Sequence, residues 1–237
     1  MSRIIIKNAT LINEGLSFTG SVLIQNGIID RVEKVGADLG KADTTIDAKG
    51  KYLLPGVIDD QVHFREPGLT AKGDIYSESK AGIAGGVTTF MDMPNTIPQT
   101  TTIEELERKY ELASRKSLAN YSFYLGATNQ NIDEIIKLNP KRSCGVKVFM
   151  GSSTGNMLVD SNESLDKIFQ HSPTLIATHC EDETTIKKNL EKYTQKYGEA
   201  IPIHCHAEIR NAEACYLSSS FAVKLAKQHN ARLHLLH

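Results

Sequence analysis

The stretch that decides the fold is LLPGVIDDQVHFREPG, residues 53–68. It begins as an apolar strand and then alternates, and in a regular β-strand alternate residues share a face. Asp59, Gln61, His63 and Arg65 are therefore predicted to line one face together. Buried polar groups without partners cost a few kcal/mol each, on the order of 2–7. The pattern thus favours a metal or polar-ligand site, and the alternative is a solvated edge strand that happens to alternate.

Downstream of this stretch, apolar strand-like segments alternate with helical segments. Strands are predicted at 56–64, 87–93, 120–127, 145–150, 174–179 and 232–237. Helices are predicted at 74–84, 102–117, 131–138, 163–170, 182–197 and 208–229. This alternation is typical of an α/β fold with a parallel sheet and helices outside it.

Upstream, residues 1–54 contain only short strand-like runs, and the Asn26-Gly27 pair between two of them predicts a tight hairpin. We therefore expect two domains: a small β module at 1–54 and an α/β domain at 55–237. Six strands are fewer than the eight of a complete (β/α) barrel. Because the sixth predicted strand is still running at His237, we expect the sequence to be a truncated part of a longer protein.

Composition narrows the function classes. The 237 residues are 40% hydrophobic and 23% charged, and 27 Lys plus Arg against 28 Asp plus Glu give a net charge of −1. That balance argues against a nucleic-acid partner. The four cysteines form no CxxC pair, and the sequence shows neither a signal peptide nor a membrane-length apolar run. We expect a soluble, cytoplasmic protein with free thiols.

Polar residues recur where the predicted strands end. The first predicted strand ends in His63 and Arg65, Asn95 follows the second, and His179 and His237 end the fifth and sixth. The carboxyl ends of parallel strands meet at one rim, which is where barrel enzymes place their chemistry. Three histidines on that rim predict a catalytic metal centre.

Lys147 lies in the fourth strand, within the apolar run Val146–Met150. An ammonium is costly in such a place, so the lysine must lose or cancel its charge if the strand is central. One way is conversion to a carbamate, which would make it an anionic ligand able to bridge metal ions.

Together these stretches resemble the dihydroorotases, in the cyclic-amidohydrolase branch of the amidohydrolase superfamily. The similar segments span almost the whole sequence: Leu54–Asp59, His63–Gly68, Gly85–Thr89, Met93–Thr96, Val146–Met150, His179–Asp182 and Leu233–His237. The resemblance implies a metal-dependent (β/α) TIM-type barrel, incomplete here, with residues 1–54 forming the N-terminal half of a small β-sandwich. The two remaining strands and the catalytic aspartate of the family would lie beyond His237, so the resemblance implies no catalytic residue within this sequence and an inactive fragment.

The resemblance also implies roles for individual residues. His63, His179 and His237 would bind zinc, one ion or two, with Lys147, carboxylated, bridging them. Metal-bound hydroxide would attack the ring amide of dihydroorotate, and the reverse reaction would close N-carbamoyl-L-aspartate in pyrimidine biosynthesis. Arg65 and Asn95 would hold the substrate carboxylate, a task suited to a guanidinium fork and an amide. The expected partner is thus a small molecule, without nucleic acid or membrane, and a homo-oligomer is compatible with the resemblance.

Gln61 departs from the family pattern. Dihydroorotases usually carry His-x-His-x-Arg where this sequence has Gln61-Val62-His63-Phe64-Arg65, and an amide oxygen is a poorer zinc ligand than imidazole. Three hypotheses follow: a one-metal enzyme, a two-metal enzyme with one weak site, or a catalytically silent scaffold subunit, for example for aspartate transcarbamoylase. An allantoinase-like or hydantoinase-like amidohydrolase is a further alternative, although Arg65 and Asn95 favour a carboxylated substrate.

Overall fold

The structure, a computed structural model, describes residues 2–151 and 156–237, and the chain forms two compact units, Met1–Val57 and Ile58–His237. The first unit is a sheet of β1 (Arg3–Asn13), β2 (Leu16–Gln25), β3 (Ile28–Lys34), β4 (Thr44–Asp47) and β5 (Tyr52–Leu53). Its strand order is β3-β2-β1-β4, and β5 also pairs with β1. Asn26 and Gly27 both have positive φ, 52° and 81°, which confirms the predicted hairpin turn between β2 and β3.

The second unit contains a curled six-stranded parallel sheet in the order β11-β10-β9-β8-β7-β6. Its strands are β6 (Val57–Val62), β7 (Val87–Asp92), β8 (Asn120–Gly126), β9 (Gly145–Phe149), β10 (Ile176–His179) and β11 (Leu233–Leu235). The spatial order is the sequence order, as expected when each strand is followed by a helical crossover. The prediction of a parallel α/β sheet is confirmed, with the last strand ending at Leu235 rather than at His237.

The crossovers contain seven α-helices within the described residues. They are α1 (Ile75–Ala84), α2 (Ile103–Lys116), α3 (Ile132–Lys137), α4 (Asn162–His171), α5 (Glu183–Tyr197), α6 (His206–Ile209) and α7 (Ala212–His229). A 3-10 turn, Ile203–Cys205, precedes α6, so residues 203–211, partly predicted as the start of one long helix, are two short pieces before α7. None of the described helices is long and apolar enough to cross a bilayer.

Side-chain caps explain why most helix starts were predictable. Thr102, for example, accepts a hydrogen bond from Glu105 N at 3.2 Å, and Asp182 accepts one from Thr185 N at 2.8 Å. Asp74, Ser161 and Asn211 cap α1, α4 and α7 in the same way. Each cap satisfies a backbone N–H that has no partner inside the helix, so the helix begins at the next residue.

Between the sheet and its helices lies one continuous apolar core. It joins strand residues such as Phe90, Phe123 and Val146 to helix residues such as Leu106 and Ala222, all at most 1% exposed. The rings of Phe64 and Phe90 pack at an interplanar angle of 44° with centroids 4.4 Å apart. This packing holds the strand ends in place, because close-packed interiors tolerate little displacement.

A buried ion pair crosses this core between α2 and β7. Lys109 Nζ lies 2.6 Å from Asp92 Oδ2, with both side chains 1% exposed, and it donates to the Met93 carbonyl at 2.8 Å. Asp92 Oδ1 accepts from Phe64 N at 3.0 Å. The pair thereby fixes the backbone immediately after β6 and immediately after β7.

Removing one partner of this pair should therefore be costly. We expect Lys109→Met to lower the free energy of unfolding by about 3–5 kcal/mol, because it leaves the Asp92 carboxylate buried and unpaired. The double variant with Asp92→Asn, which keeps an acceptor for Phe64 N, should recover part of that loss. Urea unfolding of the two single variants and the double variant measures the coupling.

Arg108→Met is the matched control, because Arg108 is one residue away on α2 but its ion pairs with Glu104 and Glu105 are solvent-exposed. Its loss should change stability by about 0.5 kcal/mol or less. Equal effects of Lys109→Met and Arg108→Met would show that the buried pair contributes nothing special.

Candidate active site

The predicted site residues lie at the carboxyl-terminal edge of the parallel sheet. His63 and Arg65 follow β6, Asn95 follows β7, Lys147 is inside β9, and His179 is the last residue of β10. His237 follows β11, and its ring lies edge-on to that of His179 with centroids 4.7 Å apart. The structure thus places His63, Arg65, Asn95, His179 and His237 at the carboxyl ends of strands of one parallel sheet, and Lys147 in the middle of β9.

His63 contacts Asn95 directly. Its Nδ1 is 2.9 Å from Asn95 Oδ1, and since a carbonyl oxygen only accepts, His63 Nδ1 carries the proton in this arrangement. Burial lowers the pKa of His63, with smaller contributions from the hydrogen bond to Asn95, which raises it, and from the Arg65 charge, which lowers it. His63 is therefore a neutral imidazole whose Nε2 lone pair is available to a ligand.

Gln61 lies beside His237 on the same rim. Gln61 Nε2 is 3.3 Å from His237 Nδ1. Burial lowers the pKa of His237, and the neighbouring His179 and Lys147 lower it further. The lowered pKa values favour the neutral form of the His63 and His237 rings, and the neutral form is the one that binds metals.

The prediction that Asp59 shares a face with Gln61 and His63 is wrong. Asp59 lines a cavity of about 200 Å³ together with Val62, Phe64 and α1 residues such as Ser79. The reason is local, because Asp59 Oδ1 accepts from Gln61 N at 3.1 Å. This side-chain turn over two residues interrupts the regular alternation of the strand.

Lys147 has the environment that its sequence context predicted. The side chain is 1% exposed, and no carboxylate or hydrogen-bond acceptor among the described residues contacts its Nζ, which lies 4.7 Å from the Phe149 ring centroid. Burial lowers the pKa of Lys147 to about 7. A substantial share of this lysine is therefore the neutral, nucleophilic amine at neutral pH.

Arg65 has an unusual backbone and a head group without an ion pair among the described residues. Its φ is +66°, a left-handed conformation that is uncommon for a residue with a side chain and is often found at functional sites. The side chain is half-buried, and within residues 2–151 and 156–237 its guanidinium makes no ion pair. Asn95 Nδ2 likewise has no partner among these residues. Two donors thus remain available on one rim.

The loops that carry Arg65 and Asn95 are locked to each other. Ile97 N donates to the Pro67 carbonyl at 3.1 Å, and a Cβ on Gly68 would lie 2.1 Å from the Ile97 carbonyl oxygen. Glu66, 5% exposed, accepts from Ile75 N at 2.9 Å and pairs with Lys116. Only glycine fits at 68, where φ is +84°. This packing fixes the separation of the two donors.

Two functional candidates were missed by the sequence reasoning. Glu181 Oε2 lies 2.8 Å from His179 Nε2, and Arg210 contacts the same carboxylate. Glu181 stands two residues after a predicted ligand, a spacing that could have marked it. Arg210 lies 29 residues further on, and no local pattern links it to the site.

The donor set fits a transition-metal ion only in part. Among the described residues, no three His, Cys, Asp or Glu side chains converge as a ready-made metal site. The nitrogen chemistry nevertheless suits zinc, because the set consists of two neutral imidazoles with lowered pKa values, His63 and His237, together with His179 and the buried amine of Lys147. These four nitrogen donors would form a metal site if they approached a single ion together.

The sequence and the fold of this chain are similar to those of known proteins. Residues 50–223 match the family described as dihydro-orotase-like. The dihydroorotases of Methanosphaera stadtmanae and Methanosarcina acetivorans are 30% and 35% identical over the whole chain, which covers 53% and 50% of their lengths. An L-hydantoinase (dihydropyrimidinase) structure from Arthrobacter aurescens superposes with a TM-score of 0.92 at 28% identity, over 100% of this chain and 53% of that one. The chain thus spans about half the length of these relatives.

The burial of Lys147 predicts a pH-dependent stability. In the metal-free protein its folded-state pKa of about 7 lies below the unfolded value of about 10.4, so the unfolded chain binds more protons between these pH values. Stability should therefore rise as pH rises from 7 to about 10. Lys147→Met should remove this slope, and below pH 7 it should exceed the wild-type stability by on the order of 4 kcal/mol.

Urea unfolding of metal-free protein at several pH values measures this effect. Lys188→Met, at an exposed position of α5, is the control and should follow the wild-type pH dependence. A Lys147→Met variant that keeps the wild-type slope would show that Lys147 is not the group responsible.

Proposed function

The chain belongs to the dihydro-orotase-like family, and on that premise we propose that it supplies the metal-binding and carboxylate-binding part of a dihydroorotase site. Its substrates would be dihydroorotate and N-carbamoyl-L-aspartate, in pyrimidine biosynthesis. The relatives of this family are named as cyclic amide hydrolases, which supports the reaction class. Residues 55–237 would be the barrel part that carries the site, and residues 1–54 a separate β module.

One observation carries the choice of a carboxylated substrate: the half-buried guanidinium of Arg65, which makes no ion pair with the residues that the structure describes, on its left-handed backbone. A guanidinium and an amide N–H are the donors that suit a carboxylate. Asn95 directs its Oδ1 to His63, which leaves Nδ2 to donate to the same ligand. We therefore assign the substrate carboxylate to Arg65 and Asn95.

His63, His179, His237 and Lys147 would hold zinc. When bound, the metal polarises the ring amide carbonyl and lowers the pKa of a water molecule. Lys147 can enter such a site as a neutral amine or, after combining with carbon dioxide, as a carbamate anion, and its burial without a carboxylate partner supports both forms. The protein would be cytoplasmic, because its substrates are small soluble metabolites.

The reaction consumes or releases one water molecule. Ring opening adds water across the amide carbon–nitrogen bond of dihydroorotate, and ring closure of N-carbamoyl-L-aspartate expels it as the ureido nitrogen forms that bond. The carboxylate that dihydroorotate carries on its ring is unchanged by the reaction in either direction. Held by Arg65 and Asn95, it would fix the ring so that the reacting carbonyl faces the nitrogen donors.

A hydantoinase-like activity is the second candidate, favoured by the TM-score of 0.92 with the L-hydantoinase (dihydropyrimidinase) structure. The two candidates differ in one chemical group. Dihydroorotate and dihydrouracil share the same ring, and only dihydroorotate carries a carboxylate on it. Ligand preference between these two compounds therefore separates the candidates.

Arg65→Gln tests the assignment. By isothermal titration of zinc-supplemented protein, we expect dihydroorotate to bind more tightly than dihydrouracil. The variant should lose about 10- to 150-fold in dihydroorotate affinity, the loss of one charge-assisted hydrogen-bonded contact, with little change for dihydrouracil.

Arg115→Gln is the control, because Arg115 is exposed on α2 and pairs with Glu111 in the same helix. It should leave both affinities unchanged. Preference for dihydrouracil, together with indifference to Arg65→Gln, would instead support the hydantoinase-like reading.

A further inference from the structure

A carboxylate links His179 to an arginine outside the predicted site. Glu181 Oε2 is 2.8 Å from His179 Nε2, and the same oxygen is 3.0 Å from Arg210 Nη2, while Arg210 Nε donates to Glu181 Oε1 at 3.1 Å. The three side chains are only 17–23% exposed. The two-pronged contact fixes the carboxylate in one plane, which a single exposed ion pair does not do.

The backbone around Glu181 is held on both sides. Cys180 N donates to the His237 carbonyl at 2.8 Å, and Asp182 N donates to the Ala214 carbonyl in α7 at 3.0 Å. A Cβ on Gly151 would lie 2.3 Å from the Glu181 carbonyl oxygen, so the segment also packs tightly against the residues after β9. The carboxylate therefore has little freedom to leave His179.

Arg210 is fixed as well. It stands between α6 and α7, where Arg210 N donates to the His206 carbonyl at 2.9 Å and Asn211 caps α7 through Ala214 N at 3.0 Å. Ala214 is also the residue whose carbonyl receives Asp182 N. The start of α7 thus supports both ends of the carboxylate contact.

A carboxylate oxygen accepts hydrogen bonds and does not donate them, so His179 carries a proton on Nε2, the ring nitrogen that faces Glu181. In the neutral ring, Nδ1 then holds the free lone pair. A second group that fixes the ring and the proton of a metal-binding histidine raises metal affinity, typically by 10- to 100-fold. The geometry around His179 has the components of such an arrangement.

We propose that Glu181 and Arg210 form a positioning pair for His179, in which Glu181 holds the ring proton on Nε2 and Arg210 holds the carboxylate, so that Nδ1 is presented as the ligand atom. The proposal rests on the proposed function for the metal role of His179, whereas the proton placement stands on the contacts alone. It extends the site to the α6–α7 junction. Neither residue acts on the substrate directly.

The test reads the proton position and the metal affinity separately. Nitrogen-15 NMR of the metal-free 237-residue protein reports which ring nitrogen of His179 is protonated, with the signals assigned by their loss in His179→Gln. Isothermal titration with zinc alone reports the affinity. The variants are Glu181→Leu, Glu181→Gln, which keeps an acceptor oxygen and the side-chain shape, and Arg210→Met.

We expect Nε2–H in the wild type and a mixture of tautomers in Glu181→Leu, with a 10- to 100-fold loss of zinc affinity. Glu181→Gln should restore most of the proton placement, and Arg210→Met should give an intermediate loss of affinity. Asp182→Asn is the control: it removes an equal charge one residue away, keeps a cap for α5, and should change neither readout.

Nδ1–H in the wild type, or an unchanged tautomer in both Glu181 variants with intact backbone spectra, would overturn the proposal. A wild-type protein with Nε2–H that shifts in Glu181→Leu but binds no zinc would uphold the positioning pair and overturn the metal role of His179. Zinc binding that is equally tight in all variants would overturn the pair while leaving the proposed function intact.

Discussion

The buried pair of Asp92 and Lys109 is the constraint on which the site depends. Moving two charges into a core that excludes water is costly, and well-packed apolar residues often serve stability as well or better. Here the two charges hold backbone groups that no apolar side chain could hold, Phe64 N and the Met93 carbonyl. These groups directly adjoin the loops that bear His63, Arg65 and Asn95. Because the pair is held rigidly in the core, it fixes the distance between the loop that bears His63 and Arg65 and the loop that bears Asn95.

A second principle governs the histidines of the rim, because each has one ring nitrogen engaged by the protein. His63 uses Nδ1 toward Asn95, His179 uses Nε2 toward Glu181, and His237 uses Nδ1 toward Gln61. A neutral imidazole has one donor and one acceptor nitrogen, so the engaged atom determines what the other can do. The contact of each ring thus comes from a different part of the sheet edge: Gln61 is in β6, Asn95 follows β7 and Glu181 follows β10. The orientation of the rim histidines therefore depends on the packing of the strands and segments around them.

Much of this arrangement was predictable from local sequence. The six parallel strands follow from apolar runs, and most helix starts follow from caps such as Thr102 and Asp182. The locations of His63 and His179 follow from the ends of their strands, and that of Lys147 from the apolar run that contains it. Arg210 and Lys109 were not predictable, because their roles arise from contacts 29 and 16 residues away. Asp59 was placed on the wrong face, since one side-chain hydrogen bond to Gln61 N breaks an alternation that periodicity alone assumes. Local patterns therefore predict where the rim histidines and Lys147 lie in the chain, but not the side chains that contact them.

Gln61, which contacts His237, differs from Glu181, which contacts His179, in the hydrogen bonds that its side chain can make. The Glu181 carboxylate can only accept, so it fixes the His179 proton, whereas an amide offers a donor on one side and an acceptor on the other. In the structure Gln61 Nε2 donates to the lone pair of His237 Nδ1. If the Gln61 amide turned by half a rotation, its oxygen would accept from a proton on His237 Nδ1, and the lone pair would then be on His237 Nε2. The proton position on the His237 ring therefore depends on which end of the Gln61 amide faces it. Under the proposed zinc role, Gln61 would thus decide which nitrogen of His237 is free to bind the metal, in addition to standing where the family pattern has a histidine.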